Sequence, residues 1–287
     1  EGRVKSFDGT DIAYFVAGAD AGAPAIVLAN GLGGTYEVWR HQTDFFAGRY
    51  RIVTWDYRGL YRSARPRDLS RTTVADHVRD LEAVLDAAGI GKAIFIGWSM
   101  GVQVNFELCR TQAARVRGIV ALNGTAGRPW ETVLPFGQAR PLIAKLLWIA
   151  RTLPGPVGFG WQRIVRSPEI LTYAKRLGLA SPHLDEEIFH DLAAQLAAVD
   201  LEAYFAIFER LGDHDARDVL ASLRVPTLVI AGEHDRMTPE KTARAIADAV
   251  PGAELFIVPG GSHYTAIEYP ELINLRIDKF LTERVGA

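Results

Sequence analysis

The sequence has few of the features that mark several large classes of protein. It contains a single cysteine, Cys109, which excludes an internal disulfide framework, suits a reducing compartment and is best explained as a small core residue. Its 32 basic residues are balanced by 34 acidic ones, giving a net charge of −2. Because proteins that bind nucleic acid carry a basic surface, this balance predicts no nucleic-acid partner.

Long apolar runs are also missing. No stretch approaches the roughly 18 to 20 uninterrupted apolar residues of a membrane-spanning helix. The first five residues contain no apolar signal-peptide core, although the chain begins without methionine, which leaves a removed leader open. Residues 142–149 are amphipathic, and we interpret them as a cap helix rather than a membrane contact, since charged residues interrupt and flank them. These patterns predict a cytoplasmic protein without stable membrane insertion.

The chain does contain a regular alternation of short apolar runs with helical patterns. The apolar runs have the length of strands that are covered on both faces, and they occupy residues 25–29, 50–55, 93–96, 116–122, 226–232 and 255–258. Helical patterns separate most of these runs. The alternation predicts an α/β fold, with a mostly parallel sheet flanked by helices.

This alternation is interrupted in the middle of the chain. Between residues 124 and 224 the pattern is helical only, with helices expected at residues 142–153, 168–177 and 185–211. An all-helical insertion of this size predicts a cap over one edge of the sheet. We therefore expect a core domain made of residues 1–123 and 225–287, and a helical cap made of residues 124–224.

Residues 97–101 (Gly-Trp-Ser-Met-Gly) form a G-x-S-x-G motif between a predicted strand and a predicted helix. In that context the serine occupies a sharp turn, where its hydroxyl is presented rather than buried. The two glycines suit a place where strand and helix approach too closely for side chains. Ser99 is therefore a candidate nucleophile.

A serine hydroxyl is a weak nucleophile until a base accepts its proton, so the rest of the chain must supply one. His263 and Asp235 each follow a predicted parallel strand, as Ser99 does, and the carboxyl ends of such strands meet at one edge of the sheet. Histidine can take and return the proton, and an aspartate can hold its tautomer. Glu233 and His234 are the local rivals for the acid and the base.

Five landmarks in the chain form a recognisable set, at residues 30–34, 56–59, 97–101, 232–235 and 261–263. Through them the sequence resembles the α/β-hydrolase superfamily along essentially its whole length. The order Ser99, Asp235, His263 is the one that this superfamily uses. The resemblance implies those residues as nucleophile, acid and base, together with a cap, no cofactor and no metal.

The resemblance also implies an oxyanion hole made of backbone N–H groups. Its donors would be Met100, directly after the nucleophile, and Leu32 in the glycine loop of residues 30–34, with Gly33 as a fallback. Gly31, Leu32 and Trp98 are expected to contact the substrate.

Two positions depart from the pattern of the superfamily. Asn30 stands where its members often have histidine, which leaves the glycine geometry intact but weakens the assignment of Leu32. Tyr61 stands where many members have glycine, and we interpret it as a packing residue rather than one that shapes the rim of the pocket.

The sequence thus predicts a serine hydrolase that cleaves a carboxylic ester or lactone of a small, fairly apolar substrate. Ser99 would form an acyl-enzyme, which water activated by His263 would hydrolyse. One alternative is a carbon–carbon bond hydrolase of a ring-cleavage diketone with the same triad. A further alternative is a non-catalytic hydrolase-fold protein that binds a small ligand. The only expected partner is a small-molecule ester or lactone, and the oligomeric state is left open.

Overall fold

The structure is a computed structural model and describes residues 1–131, 145, 147–150 and 152–286. The strands are β1 (Gly2–Lys5), β2 (Asp11–Gly18), β3 (Ala25–Ala29), β4 (Arg51–Trp55), β5 (Ala93–Trp98), β6 (Val116–Leu122), β7 (Thr227–Gly232) and β8 (Glu254–Val258). In the described residues they form one eight-stranded sheet in the order β1-β2-β4-β3-β5-β6-β7-β8. Strand β2 is antiparallel to β1 and β4, and the remaining pairs are parallel. The predicted α/β fold is confirmed.

Both faces of the parallel strands are buried, which explains why their sequences are continuously apolar. Strands β3, β5 and β7 are buried at every position. Successive residues of β3 alternate between two hydrophobic clusters: Val27 belongs to one, and Ile26 and Leu28 to the other. The sheet therefore separates two cores, each covered by helices.

The register brings the carboxyl ends of the central strands into line. Gly97 of β5 pairs with Ala29 of β3 and with Ala121 of β6. Farther along the sheet, β6 pairs with β7 and β7 with β8 in the same parallel sense. The loops that follow these strands consequently share one edge of the sheet, where open α/β folds place their ligands.

The helices in the described residues are α1 (Arg40–Phe46), α2 (Val74–Ala87), α3 (Met100–Gln112), α4 (Pro154–Val165), α5 (Ile170–Arg176), α6 (Glu186–Leu196), α7 (Leu201–Asp213), α8 (Arg217–Leu220), α9 (Glu240–Ala249), α10 (Thr265–Glu268) and α11 (Pro270–Phe280). Short 3-10 turns occupy Tyr36–Trp39, Ala113–Arg115 and Pro129–Glu131, and a π-helical turn occupies Leu281–Val285. None of the helices in these described ranges is both long and apolar enough to cross a bilayer.

The described part of residues 124–224 contains helices and no strand. Of the helix expected at residues 142–153, positions 142–144, 146 and 151 lie outside the described residues, and residues 145, 147–150 and 152 are helical. The single helix expected at residues 185–211 is wrong, because the chain forms two helices, α6 and α7. Asp200 separates them: its carboxylate accepts hydrogen bonds from the backbone N–H groups of Glu202 and Ala203 and so begins a new helix. Aspartate favours such an N-cap over a helix interior.

Candidate active site

Ser99 lies in the turn between β5 and α3, with φ of 54° and ψ of −114°. Positive φ is uncommon for a residue with a side chain, and such backbone conformations cluster at active sites. Glycine is needed on both sides of the turn, since a Cβ on Gly101 would lie 2.1 Å from the carbonyl oxygen of Ala29. A Cβ on Gly97 would lie 2.5 Å from the backbone of Gly101. The motif therefore fixes the serine in a strained, close-packed turn.

Asp235 and His263 come together although the chain separates them widely. The distance between Nδ1 of His263 and Oδ2 of Asp235 is 2.9 Å. Both residues are buried: His263 is 2% exposed and Asp235 4%. His263 lines the same cavity as Ser99. The three residues predicted as a triad thus come together at one place, with the Asp235 carboxylate at the Nδ1 edge of the imidazole.

The carboxylate of Asp235 is held by several donors besides His263. Its Oδ1 accepts from the backbone N–H groups of Met237 and Thr238, each at 2.8 Å. Its Oδ2 accepts from the Thr238 hydroxyl at 2.8 Å and from Nδ2 of Asn123 at 3.0 Å. Burial by itself would raise the pKa of Asp235, but the charge and hydrogen bond of His263, with these other donors, hold the pKa below its usual value. The group is therefore kept as a carboxylate.

The rival groups lie elsewhere. Glu233 and His234 are both exposed, and the Glu233 carboxylate accepts from the backbone N–H of Gly260 at 2.9 Å.

Cys109 is buried, and burial raises the pKa of its thiol to about 12. A protonated, buried thiol is not a nucleophile at neutral pH. In the described residues, no group of three or more histidine, cysteine, aspartate or glutamate side chains could hold a metal ion.

Ser99 and His263 open into a cavity of about 210 Å³. We call its sheet-edge side the floor, which consists of Leu32, Trp98, Ser99, Met100, Thr238 and His263. The opposite side, which we call the cover, consists of Pro129, Trp130, Tyr204, Phe208 and Leu211. In the described part of the chain, no aspartate, glutamate, lysine or arginine lines this cavity. It therefore suits an uncharged, largely apolar group.

A larger hollow of about 350 Å³ lies behind residues 125–127, with Lys241 and Thr242 in its wall. Neither Ser99 nor His263 lines it. Although it has more volume, the serine and the histidine predicted as catalytic residues line the smaller cavity.

Trp98 connects three loops of the floor. Its indole N–H donates to the backbone carbonyl of His263 at 2.8 Å, and its ring lies against the glycine loop. A Cβ on Gly31 would come within 2.7 Å of that ring. Of the three residues expected to contact the substrate, Leu32 and Trp98 line the cavity. Gly31 is buried against the Trp98 ring, and its lack of a side chain lets the glycine loop approach the turn that carries Ser99.

The sequence model of the alpha/beta hydrolase fold matches residues 24–270. The chain belongs to this family.

Several relatives within the α/β-hydrolase family cover most of the chain. The 3-oxoadipate enol-lactonase 1 of Acinetobacter baylyi is 30% identical over 249 residues, which cover 87% of this chain and 85% of the relative. RutD of Azorhizobium caulinodans, named provisionally as a carbamate hydrolase, is 28% identical over 269 residues, 92% of each chain. The solved structure of Est816, described as an N-acyl homoserine lactone degrading enzyme, is 26% identical with a TM-score of 0.74 and covers 97% of this chain and 100% of its own.

Asn123 is a neighbour of the predicted triad, and the sequence did not reveal its contacts. It follows β6 with φ of 47°, and its Nδ2 donates both to Oδ2 of Asp235 and to the backbone carbonyl of Ser262, each at 3.0 Å. The sequence does show that Asn123 directly follows a predicted central strand. Its contact with Asp235 joins residues 112 positions apart, which no local pattern records.

Glu268 is the second residue that sequence reasoning missed. Its buried carboxylate accepts from the backbone N–H of Ser262 at 2.7 Å and of Ser181 at 2.8 Å, and also from the Ser262 hydroxyl. Ser262 directly precedes His263. Glu268 therefore joins the histidine loop to the segment before α6, and only the folded chain brings these groups together.

Proposed function

We propose that this α/β-hydrolase is a serine hydrolase that cleaves a small, uncharged carboxylic ester or lactone through an acyl-enzyme on Ser99. The observation that carries the proposal is the buried pair of His263 and Asp235, at 2.9 Å, in the cavity where the strained Ser99 lies. Serine, base and oriented acid are the groups that acyl transfer requires.

In the proposed mechanism His263 removes the hydroxyl proton of Ser99 as the oxygen attacks the substrate carbonyl. Since Nδ1 of His263 faces Asp235, its Nε2 is the atom that takes the proton. His263 then returns the proton to the departing alkoxide. A water molecule, activated by the same histidine, hydrolyses the ester of Ser99 and frees the acid product.

The oxyanion of the tetrahedral intermediate would accept hydrogen bonds from two backbone N–H groups, those of Leu32 and Met100. Met100 is the first residue of α3, so its N–H is one of the donors that a helix leaves without a partner inside the helix. Leu32 lines the cavity from the glycine loop. Losing one such donor typically costs about 2.7 to 4 kcal/mol of transition-state stabilisation.

The substrate class rests on the lining of the cavity and on the relatives. A volume of about 210 Å³ is below the usual 300–1,000 Å³ range of ligand pockets, which suits a short acyl group or a small lactone ring. Two of the relatives are named for lactones and one for a carbamate, and all three compounds contain a carbonyl carbon bonded to a second oxygen. We further propose that residues 124–224 are the cap that supplies the cover.

The experiment is hydrolysis of p-nitrophenyl esters from acetate to dodecanoate, and of small neutral lactones, with Ser99→Ala as the matched blank. We expect turnover that peaks with short acyl groups and falls to the blank rate in Ser99→Ala, with the thermal unfolding temperature unchanged. A fluorophosphonate probe should label the wild-type serine. Ester turnover retained in Ser99→Ala would overturn the assignment of the nucleophile.

Two other outcomes separate the alternatives. Labelling of Ser99 without ester or lactone turnover would point to the carbon–carbon hydrolase. Silence of the probe and of every substrate would favour a protein that only binds its ligand.

A further inference from the structure

The glycine loop that carries the Leu32 N–H contains a tight turn. The backbone N–H of Gly34 donates to the carbonyl of Gly31 at 2.9 Å, and Gly33 has φ of 81°. Glycine at a positive φ in the third position of such a turn is the signature of a type II turn. Leu32 is the second residue of this turn, so the turn determines where its N–H lies.

Tyr61 is attached to this turn from the neighbouring loop. Its hydroxyl donates to the carbonyl of Gly33 at 2.6 Å. Its backbone has φ of 52°, a conformation that glycine adopts freely and that is costly for a bulky residue. The chain therefore keeps a strained tyrosine at a position where glycine would be relaxed. A glycine there could not make the side-chain hydrogen bond to Gly33.

The hydrogen bonds at this turn form a continuous series through three groups. The Tyr61 hydroxyl donates to the carbonyl of the Gly33–Gly34 peptide, and the N–H of that same peptide donates to the carbonyl of Gly31. That carbonyl belongs to the peptide whose N–H is the N–H of Leu32. A carbonyl that accepts a hydrogen bond polarises its peptide group, which strengthens the N–H at the other end.

We propose that Tyr61 is a positioning residue for the oxyanion hole: it holds the turn and, through two peptide groups, strengthens the Leu32 N–H as a donor. This inference rests on the proposed function, because the N–H matters only if an oxyanion forms there. Tyr61 itself does not touch the reacting atoms. It acts through the Leu32 N–H, which would stabilise the negative charge that develops on the substrate oxygen in the transition state.

Tyr57 supplies a matched comparison from the same loop. Its hydroxyl donates to the carbonyl of Asn30, also at 2.6 Å, at the start of the glycine loop. The peptide of that carbonyl carries the N–H of Gly31, so the bond does not lead to the Leu32 N–H. Loss of the Tyr57 hydroxyl removes an equally short bond to the same loop without touching the series that ends at Leu32.

The test compares Tyr61→Phe with Tyr57→Phe, and uses Tyr173→Phe as an exposed control. For each variant we would measure kcat and KM on a short p-nitrophenyl ester, the inhibition constant of a trifluoromethyl ketone analogue of the substrate, and the thermal unfolding temperature. The analogue forms an oxyanion on Ser99 and therefore reports the oxyanion hole. Ser99-dependent turnover by the wild type is established first.

We expect kcat/KM of Tyr61→Phe to fall about tenfold. This is a smaller loss than the roughly 10²–10³-fold fall in kcat that follows complete removal of an oxyanion-hole donor. The fall should lie in kcat, with KM nearly unchanged, and the inhibition constant should rise by the same factor. Tyr57→Phe should lose thermal stability but stay within about threefold of wild-type kcat/KM. Tyr173→Phe should match the wild type.

Equal losses of kcat/KM in Tyr61→Phe and Tyr57→Phe would overturn the inference while leaving the proposed function standing. An unchanged inhibition constant in Tyr61→Phe would do the same. Absence of Ser99-dependent turnover in the wild type would instead overturn the proposed function and this inference together.

Discussion

The floor and the cover of the cavity are held in place by different kinds of interaction. His263 of the floor is held by the Asp235 carboxylate beside it, which accepts hydrogen bonds at 2.8 to 3.0 Å from His263, from Asn123 and from the loop of Met237 and Thr238. On the cover, aromatic rings pack against each other, with Trp130 and Phe208 4.4 Å apart between ring centroids. Hydrogen bonds fix orientation, whereas ring packing fixes shape and tolerates exchange of similar groups.

This contrast indicates a division of labour. In the proposed mechanism, the groups that must be oriented to transfer a proton lie on or next to the floor, and the groups of the cover only limit the space for the substrate. Substitutions on the floor should therefore change kcat, while substitutions on the cover should change which ester is preferred. The following variants test that division.

Replacing Asp235 with asparagine should have the largest effect. The amide preserves the shape but supports the wrong tautomer of His263, so kcat should fall by about 10⁴-fold, the loss seen when a triad aspartate is replaced in this way. Steady-state kinetics with a short p-nitrophenyl ester measures the effect. Glu233→Gln, an exposed neighbour, should stay within about threefold of wild type. The reverse result would show that Glu233 is the acid.

Gly31→Ala tests how closely the loops of the floor must approach. The added Cβ would lie 2.7 Å from the Trp98 ring, so either the ring or the loop must move. We expect kcat/KM to fall by about 100-fold, within the range for loss of an oxyanion-hole donor, because the Leu32 N–H moves with the loop. Gly48→Ala is the control, since a Cβ there meets nothing within 4 Å. Equal activity of the two variants would contradict the prediction.

A second buried carboxylate sharpens the comparison because it lacks the hydrogen bonds of Asp235. Asp56 follows β4 and is 1% exposed; its Oδ2 accepts from the backbone N–H of Arg62, while its Oδ1 is buried without a hydrogen-bond partner in the described residues. Burial therefore raises the pKa of Asp56 to about 6, whereas that of Asp235 is lowered. Two buried aspartates that each follow a strand are thus tuned in opposite directions by their donors.

The raised pKa of Asp56 predicts a pH-dependent free energy of unfolding. The folded protein holds the proton of Asp56 more tightly than the unfolded chain does. The resulting contribution to the free energy of unfolding is therefore complete below about pH 4 and is lost as the pH rises through about 6. Asp56→Asn cannot ionise and should be about 1–3 kcal/mol more stable than wild type at pH 8. Most of that difference should vanish at pH 4 in urea unfolding. An equal stability difference at pH 4 and pH 8 would contradict the prediction.

The same contrast explains how much the sequence could predict. Ser99, Asp235 and His263 each follow a strand whose apolar run is visible, and the parallel order brings their loops to one edge. Local sequence patterns are therefore enough to predict these residues at the edge of the sheet. The contacts of Asn123 and Tyr61 with these loops were missed because they depend on distances between segments and on backbone φ values.

The cover could not be predicted in the same way. Its position depends on where α7 begins, and the break at Asp200 is a capping event inside a pattern that is typical of one long helix. Trp130 reaches the cavity through the space left by Gly212, where a Cβ would fall on the indole. Neither feature has a periodic signature, so the sequence predicted a cap but not the shape of the pocket beneath it.

Phe208→Ala should have the smallest effect, and one of a different kind. Removing the ring enlarges the cavity on the cover without touching the floor, so the ratio of kcat/KM for the octanoate ester to that for the acetate ester should rise about tenfold. Turnover of acetate should change less than that ratio. Phe205→Ala is the matched control, because Phe205 lies on the same helix but lines a separate hollow with Pro154 and Val157. If both variants kept the wild-type ratio, the cover would not determine the acyl preference, and the division between floor and cover would fail.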